Sequence, residues 1–290
     1  PLNELLKKYP NFEDCLGPKK YDSGHFIRLY SDLVRCDRLG DAIDLLQRLS
    51  DAKVPCLNDT RIRKYGTVDF LVSCERSNKL KNSPVMHAFT FTNLVLEASR
   101  DDLSTAEVAT IYNKLLAVCS AHGNCDAAAK AFEQMKQDPK GLTIDVITHT
   151  SMIVAYSKAG KIDLAFEQFE TMTKKDKIEP TIVTYGALMD AVSREIGRRS
   201  GNGGFKSNNK KDISYVKDAL DRVFNLRLDL EASGLQMDVR VLNCLVSACG
   251  RAAAFEELRS DALDRAFDIV AESRRNGLFP DAVTYSSLMS

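Results

Sequence analysis

Along most of this chain apolar residues return every three or four positions, the spacing that lines one face of a helix. The pattern is clearest from Val146 to Thr181, VITHTSMIVAYSKAGKIDLAFEQFETMTKKDKIEPT. Met152, Ile153, Ala155 and Tyr156 stripe a first helix. Lys158-Ala159-Gly160 breaks it, glycine being free to take positive φ. Ile162, Ala165, Phe166, Phe169 and Met172 stripe a second helix, and Pro180 cannot extend it. The pattern then restarts with IVTYGALMDAV at Ile182. A helical hairpin that repeats on its own period predicts a stacked array, in which each hairpin buries its apolar face against its neighbours.

The same reading divides the chain. Residues 1–22 have weak periodicity and read as a lead-in with one short helix. Residues 23–108 read as two degenerate repeats. In the first, HFIRLYSDLVR precedes GDAIDLLQRLSDA, whose stripe is Leu39, Ala42, Ile43, Leu46 and Leu49, and Pro55 closes the unit. In the second, KYGTVDFLVSCERS precedes PVMHAFTFTNLVLEAS. The run FTFTNLV has strand propensity, but its helical neighbours make it a helix. Residues 109–290 form the regular array, beginning with ATIYNKLLAVCSAHGN and CDAAAKAFEQMKQD. The residues opening its units are Tyr112, His149, Tyr185, Leu242 and Tyr285, at gaps of 37, 36, 57 and 43. The long gap holds RRSGNGGFKSNNKK, residues 198–211, which is too polar and glycine-rich to pack a core. It reads as a solvated insertion or as a basic arm reaching phosphates through Arg198, Arg199, Lys206, Lys210 and Lys211. The smaller excess, near Ala252 to Arg259, lengthens a turn. A truncated repeat starts at residue 282.

Composition adds bounds. The 290 residues carry 40 Lys plus Arg and 40 Asp plus Glu, so nucleic-acid binding would need a local basic surface. No apolar run approaches a membrane span. The chain begins at Pro1 and stops just after a repeat opens, so it reads as part of something longer. Eight cysteines include no CxxC pair and read as reduced thiols. Cys119-x-x-His122-x-x-Cys125 suggests zinc, but a fourth ligand is missing and Cys119 shares its helix position with Cys74 and Cys249. They read as packing residues, and no metal or other cofactor is expected. A glycine-rich phosphate loop, HExxH, GxSxG and a nuclease-type Asp cluster are all missing from the sequence, so no enzyme is expected.

VTYGALMDAV, AYSKAGKIDLAFEQFETM and NGLFPDAVTYSSLM resemble the pentatricopeptide repeat family, strongly from about Ala109 onward and moderately from Ser23 to Ser104. RCDRLGDAIDLLQRLS and LLAVCSAHGNCDAAAKAFEQM also look similar to a plastid member that protects and matures a transcript. The resemblance implies an all-α, right-handed superhelical solenoid of stacked helical hairpins that binds single-stranded organellar RNA one base per repeat. It also implies that the residue after each opener reads a base together with the last residue of the unit. Those pairs are Asn113 with Asp145, Thr150 with Thr181, Gly186 with Asp238, and Asn243 with Asp281. Ser286 opens a further pair. Asn with Asp is the family's combination for uridine. Thr with Thr has no clear meaning in that code, Gly186 has no side chain to read with, and Ile27 and Val68 cannot hydrogen-bond. Wedges between bases would be Thr110, Ile147, Val183, Arg240 and Val283. Lys158, Arg194 and Arg251 recur at one position in three consecutive first helices, while Ala121 holds it in the preceding repeat. They suit phosphate contacts and equally the negative end of a helix dipole.

Two functions remain open on sequence. One is selective RNA binding that supports processing, stabilisation or translation of a transcript by steric protection. The other is a scaffold subunit within an assembly containing ribosomal or transcription-complex proteins, favoured by the zero net charge and the poor code residues. The expected compartment is the chloroplast stroma, with the mitochondrial matrix as the alternative.

Overall fold

A computed structural model describes residues 23–51, 66–77, 83–199 and 210–289. The chain divides into two units, Pro1–Ala155 and Tyr156–Ser290. Among the described residues every regular element is helical. The first unit holds α1 (Ser23–Arg35), α2 (Leu39–Asp51), α3 (Thr67–Arg76), α4 (Ser83–Ser99), α5 (Thr105–Ala121), α6 (Cys125–Lys136) and the start of α7 (Val146–Ala159). The second holds the end of α7, then α8 (Ile162–Glu170), α9 (Ile182–Arg199), α10 (Lys210–Ala232), α11 (Val239–Ala252), α12 (Arg259–Arg275) and α13 (Ala282–Met289). Odd-numbered helices open the repeats and even-numbered helices close them.

The two helix types bury different fractions of their surface. In α5, Val108, Ile111, Tyr112, Leu115, Leu116, Val118 and Cys119 are all buried. In its partner α6 only Cys125, Ala128, Ala131, Phe132 and Met135 are. A first helix is walled in because it packs on its own partner and on the first helices of neighbouring repeats. Thus α3 touches α1 and α5, and in the second unit α11 touches α9 and α13. Each large aliphatic side chain removed from water in this way stabilises the fold by about 1.5–3 kcal/mol. The FTFTNLV run lies in α4, where Phe91 stacks on Phe70 at 4.2 Å between ring centres. Aromatic packing overrides local strand propensity there.

Boundaries differ from the sequence reading in three places. The first helix of the regular array starts at Thr105 instead of near Ala109. Ser104 and Glu107 form a reciprocal capping box, the Glu107 N–H donating to Ser104 Oγ and the Ser104 N–H to Glu107 Oε2. The second helix of the central repeat ends in a wider π-type turn, Thr171–Lys175. The basic insertion is shorter than 198–211, because α9 runs through Arg199 and α10 begins at Lys210. Arg198 pairs with Glu195 at 2.7 Å, and Arg199 pairs with Glu195 and Asp212 while stacking on Tyr215. Arg198 is thus tied to its own helix, and Arg199 to both α9 and α10. Lys206, the lead-in over 1–22 and Pro55 lie outside the described residues. The smaller excess forms a 3-10 turn, Glu256–Leu258.

Candidate RNA interface

The candidate interface is built on the caps of the first helices. The residue that closes each unit caps the helix that opens the next. Asp145 Oδ1 accepts from the Thr148 N–H at 2.8 Å, and Asp238 Oδ1 accepts from the Val241 N–H at 2.8 Å. Asp281 Oδ1 accepts from the Thr284 N–H at 2.9 Å, and Thr181 Oγ1 from the Thr184 N–H at 3.4 Å. Capping satisfies a backbone donor that the helix leaves orphaned and contributes about 1 kcal/mol.

Two of these caps are joined to the preceding first helix. The Asn113 Nδ2 donates toward both Asp145 carboxylate oxygens at 3.5 Å, and Thr148 Oγ1 lies 2.7 Å from both Asn113 Oδ1 and Asp145 Oδ1. The second cluster repeats this arrangement. The Asn243 Nδ2 donates to Asp281 at 3.2 and 3.3 Å, and the Thr284 hydroxyl donates to Asn243 Oδ1. The Thr284 N–H, helped by the Asn243 amide, outweighs desolvation and holds the Asp281 carboxyl below the ordinary aspartate value. Sequence reasoning named the Asn and Asp of each cluster and missed the threonines. The signal lay in the V-T-Y and I-T-H openings, which place Thr three residues after the cap.

The other expected reading pairs differ. Gly186 and Asp238 bring no amide together with the cap. Thr150 and Thr181 fall in different units. Thr150 is buried, whereas Thr181 bonds within its own cap through Thr184 Oγ1 at 3.2 Å. Ser286 is exposed on α13. Four of the five wedge positions stand two residues after a cap, and Thr110 stands six after Ser104. Ile147 and Val283 are each 57% exposed and Val183 is 53% exposed, so three bulky apolar side chains face water in one register. Arg240 takes that place after Asp238, its side chain 87% exposed and 3.9 Å from the capping carboxylate. Thr110 is exposed and returns its hydroxyl to the Ala106 carbonyl at 2.8 Å.

The basic register is longer than the three residues read from sequence. Counting nine residues from the opener gives Arg35, Arg76, Ala121, Lys158, Arg194 and Arg251. Arg35 and Arg76 line one cavity of about 380 Å³ with Tyr30 and Asp69. Arg194 pairs with Asp190 at 2.5 Å. Arg251 donates to Ser193 Oγ at 2.8 Å, lying so close over Gly197 that a Cβ there would come within 2.9 Å of its Cδ. Lys158 is exposed at the end of α7.

The suggested zinc residues are committed elsewhere. His122 Nε2 bonds the Cys74 carbonyl at 2.8 Å, Cys125 donates to Asp126 at 3.5 Å, and Cys119 is fully buried. Burial pushes the Cys74, Cys119, Cys244 and Cys249 thiols up to about 12, so they stay protonated at neutral pH. Among the described residues no helix is long and apolar enough to cross a membrane.

Two family descriptions match in register with these helices, "PPR repeat" over residues 110–139 and "Pentatricopeptide repeat domain" over residues 137–195. A mitochondrial pentatricopeptide repeat-containing protein of Arabidopsis thaliana is 22% identical over 84% of this chain and 49% of its own length. A chloroplastic one from the same plant is 24% identical over 57% of this chain and 28% of its own. The small ribosomal subunit protein mL103 of Arabidopsis thaliana is 19% identical over 79% of this chain and 50% of its own. The chain thus spans half or less of these relatives. Among solved structures, the pentatricopeptide repeat protein PPR10 in complex with an 18-nt psaJ RNA element is similar at 21% identity. It has a TM-score of 0.40 and covers 77% of this chain and 34% of that one. Residues 110–195 thus carry pentatricopeptide repeats, and helical hairpins of the same register stand on both sides of them.

Proposed function

We propose that this chain binds single-stranded RNA along its first helices and selects uridine at two positions. The observation that carries the reading is the pair of Asn–Asp–Thr clusters, Asn113–Asp145–Thr148 and Asn243–Asp281–Thr284, in the same register. Each presents an amide donor beside a carboxylate acceptor. Uracil offers the complement, a carbonyl oxygen next to an N3–H, whereas cytosine has no proton at N3. Ile147, Val183 and Val283 expose apolar surface in the register expected of wedges against base faces. Lys158, Arg194 and Arg251 supply charge for phosphates, and Arg35 and Arg76 extend that row into repeats where Ile27 and Val68 cannot read an edge. The first two repeats then grip the backbone without choosing bases. Relatives named chloroplastic and mitochondrial support an organellar compartment, and protecting a transcript sterically would require no catalytic group.

The test is binding to pools of short single-stranded RNA at low and moderate salt, beside the double variant Asn113→Asp/Asn243→Asp. The reading expects wild type to select uridine at two spaced positions, the variant to lose that selection, and affinity to fall steeply with salt. Weak, unselective binding by both proteins would remove it. The scaffold reading, supported by the ribosomal relative and the zero net charge, would then be tested by association with an organellar ribosome.

A further inference from the structure

We propose that Thr148 and Thr284 are positioning residues that decide which face of the Asn113 and Asn243 amides is offered to a base. The proposal rests on the base-reading function above and adds the part that sets its sense. Neither threonine has any exposed surface, so neither can touch RNA. Each instead holds the reading amide from behind. Thr148 Oγ1 is 2.7 Å from Asn113 Oδ1, and the Thr284 hydroxyl donates to Asn243 Oδ1.

The orientation matters because an amide has two unlike ends. With Oδ1 turned to the threonine, Nδ2 faces the aspartate and keeps its second N–H for an acceptor on a base. With the amide flipped, Oδ1 would oppose the carboxylate and offer an acceptor outward, which suits the amino group of cytosine. The carboxylate alone holds the amide loosely in the first cluster, where the Asn113–Asp145 separation is 3.5 Å, the limit of a hydrogen bond. The threonine makes the shorter bond. Uridine selectivity therefore depends on a buried hydroxyl that contacts no nucleotide.

The repeat opened by Tyr185 lacks both halves of the device. Gly186 stands where Asn113 and Asn243 stand, and Val241 where Thr148 and Thr284 stand. The neighbour relation survives, since a Cβ built on Gly186 would lie 3.9 Å from Val241 Cγ2, an ordinary contact. Asp238 already caps α11 at the matching position. Two substitutions, Gly186→Asn and Val241→Thr, complete a third cluster.

The experiment compares three variants with wild type on RNAs carrying uridine or cytidine opposite each repeat. In Thr148→Val/Thr284→Val the hydroxyls go while the volume stays, and uridine-over-cytidine preference at those two positions falls by roughly tenfold, the worth of one oriented hydrogen bond. Thr148→Ser/Thr284→Ser keeps the hydroxyls and the preference. Gly186→Asn/Val241→Thr gains a uridine preference at the third position, whereas Gly186→Asn alone gains less. The gain makes the test independent of any loss of folding in the valine pair. Wild-type selection that persists unchanged in a folded valine variant, or a Gly186→Asn single variant that selects as well as the double, overturns the threonine role and leaves base reading intact. Wild type that binds RNA without base preference overturns both.

Discussion

The repeat opened by Tyr112 and the repeat opened by Tyr185 use the same backbone device and present different chemistry on it. In both, an aspartate closing the unit caps the next first helix through one N–H at 2.8 Å. In the first, that aspartate also meets Asn113, and a buried threonine joins the two. In the second, Gly186 and Val241 leave the cap with its structural role alone. The cap belongs to the fold, and the amide is what the proposed base reading adds to it. The repeats differ again where the opening tyrosine is anchored. Tyr112 Oη donates to Asp138 at 3.3 Å, a buried carboxylate also paired with Arg100 at 2.8 Å and bonded by the Lys140 N–H at 3.0 Å. Tyr185 Oη shares a 3.2 Å bond with Ser233 Oγ.

That anchor gives the largest expected difference. Asp138→Ala leaves Arg100, Tyr112 and a backbone N–H without their acceptor, and should cost about 3 kcal/mol. Ser233→Ala in the other repeat should cost less than about 1 kcal/mol. Urea unfolding of the two variants decides it, and equal losses would show that Asp138 adds nothing beyond an ordinary tyrosine contact.

The caps come next. Asp145→Ala and Asp238→Ala should each lower stability by about 1 kcal/mol, because each removes one capping acceptor. Only Asp145→Ala should also abolish uridine preference at its own repeat. A comparable loss of selection on removing Asp238 would mean that the third repeat reads a base through a group other than residue 186.

The hairpins were legible in the sequence because burial imposes its period on every repeat, and the first helices, walled in on several sides, carry the densest apolar pattern. The array's entry at Thr105 was not read, although Ser104 and Glu107 spell a capping box, because the polar turn lies ahead of the apolar run that drew attention. The site was half legible. Asn113, Asp145, Asn243 and Asp281 stand at positions the family resemblance names. Thr148 and Thr284 were hidden because a buried threonine in a helix gives the same sequence signal as a packing residue, and only the chain's return from the next repeat brings it to the amide. Arg198 and Arg199 read as part of a solvated insertion or a basic arm because a run of like charge reads as solvated, and Glu195 and Asp212 lie just outside the run.

A smaller effect is expected where the second helices end. Four residues before each cap the backbone takes positive φ, at Gly141 (63°), Lys177 (52°), Gly234 (75°) and Gly277 (79°). Glycine adopts this conformation freely, whereas a lysine is strained by its Cβ. Lys177→Gly should stabilise the protein by about 0.5–1 kcal/mol, the strain relieved exceeding the entropy glycine adds to the unfolded chain. Gly234→Ala, closing the repeat that lacks the cluster, should lose a similar amount. Paired thermal melts check both, and a Lys177→Gly protein less stable than wild type would place the dominant effect of this residue in its side chain.

The smallest expected effect separates the intact second cluster from a bare cap by acid. Hydrogen bonds from the Thr284 N–H and the Asn243 amide favour the charged form of Asp281 and lower its carboxyl pKa in the folded protein. Because the folded value lies below the unfolded one, the stabilisation is fully present above the ordinary aspartate range. It is lost as pH falls through that range and down past the folded value. The carboxyl is open to water, so the change in stability should be slight and the titration itself is the sensitive readout. Followed by the side-chain carboxyl carbon shift in NMR, Asp281 should titrate below an ordinary aspartate in wild type. In Asn243→Ala its midpoint should move up toward the ordinary value while remaining depressed, since the Thr284 N–H remains. A midpoint indifferent to Asn243 would mean that the amide does not hold the carboxylate in solution, and the cluster would then be no better ordered for reading than the cap at Asp238.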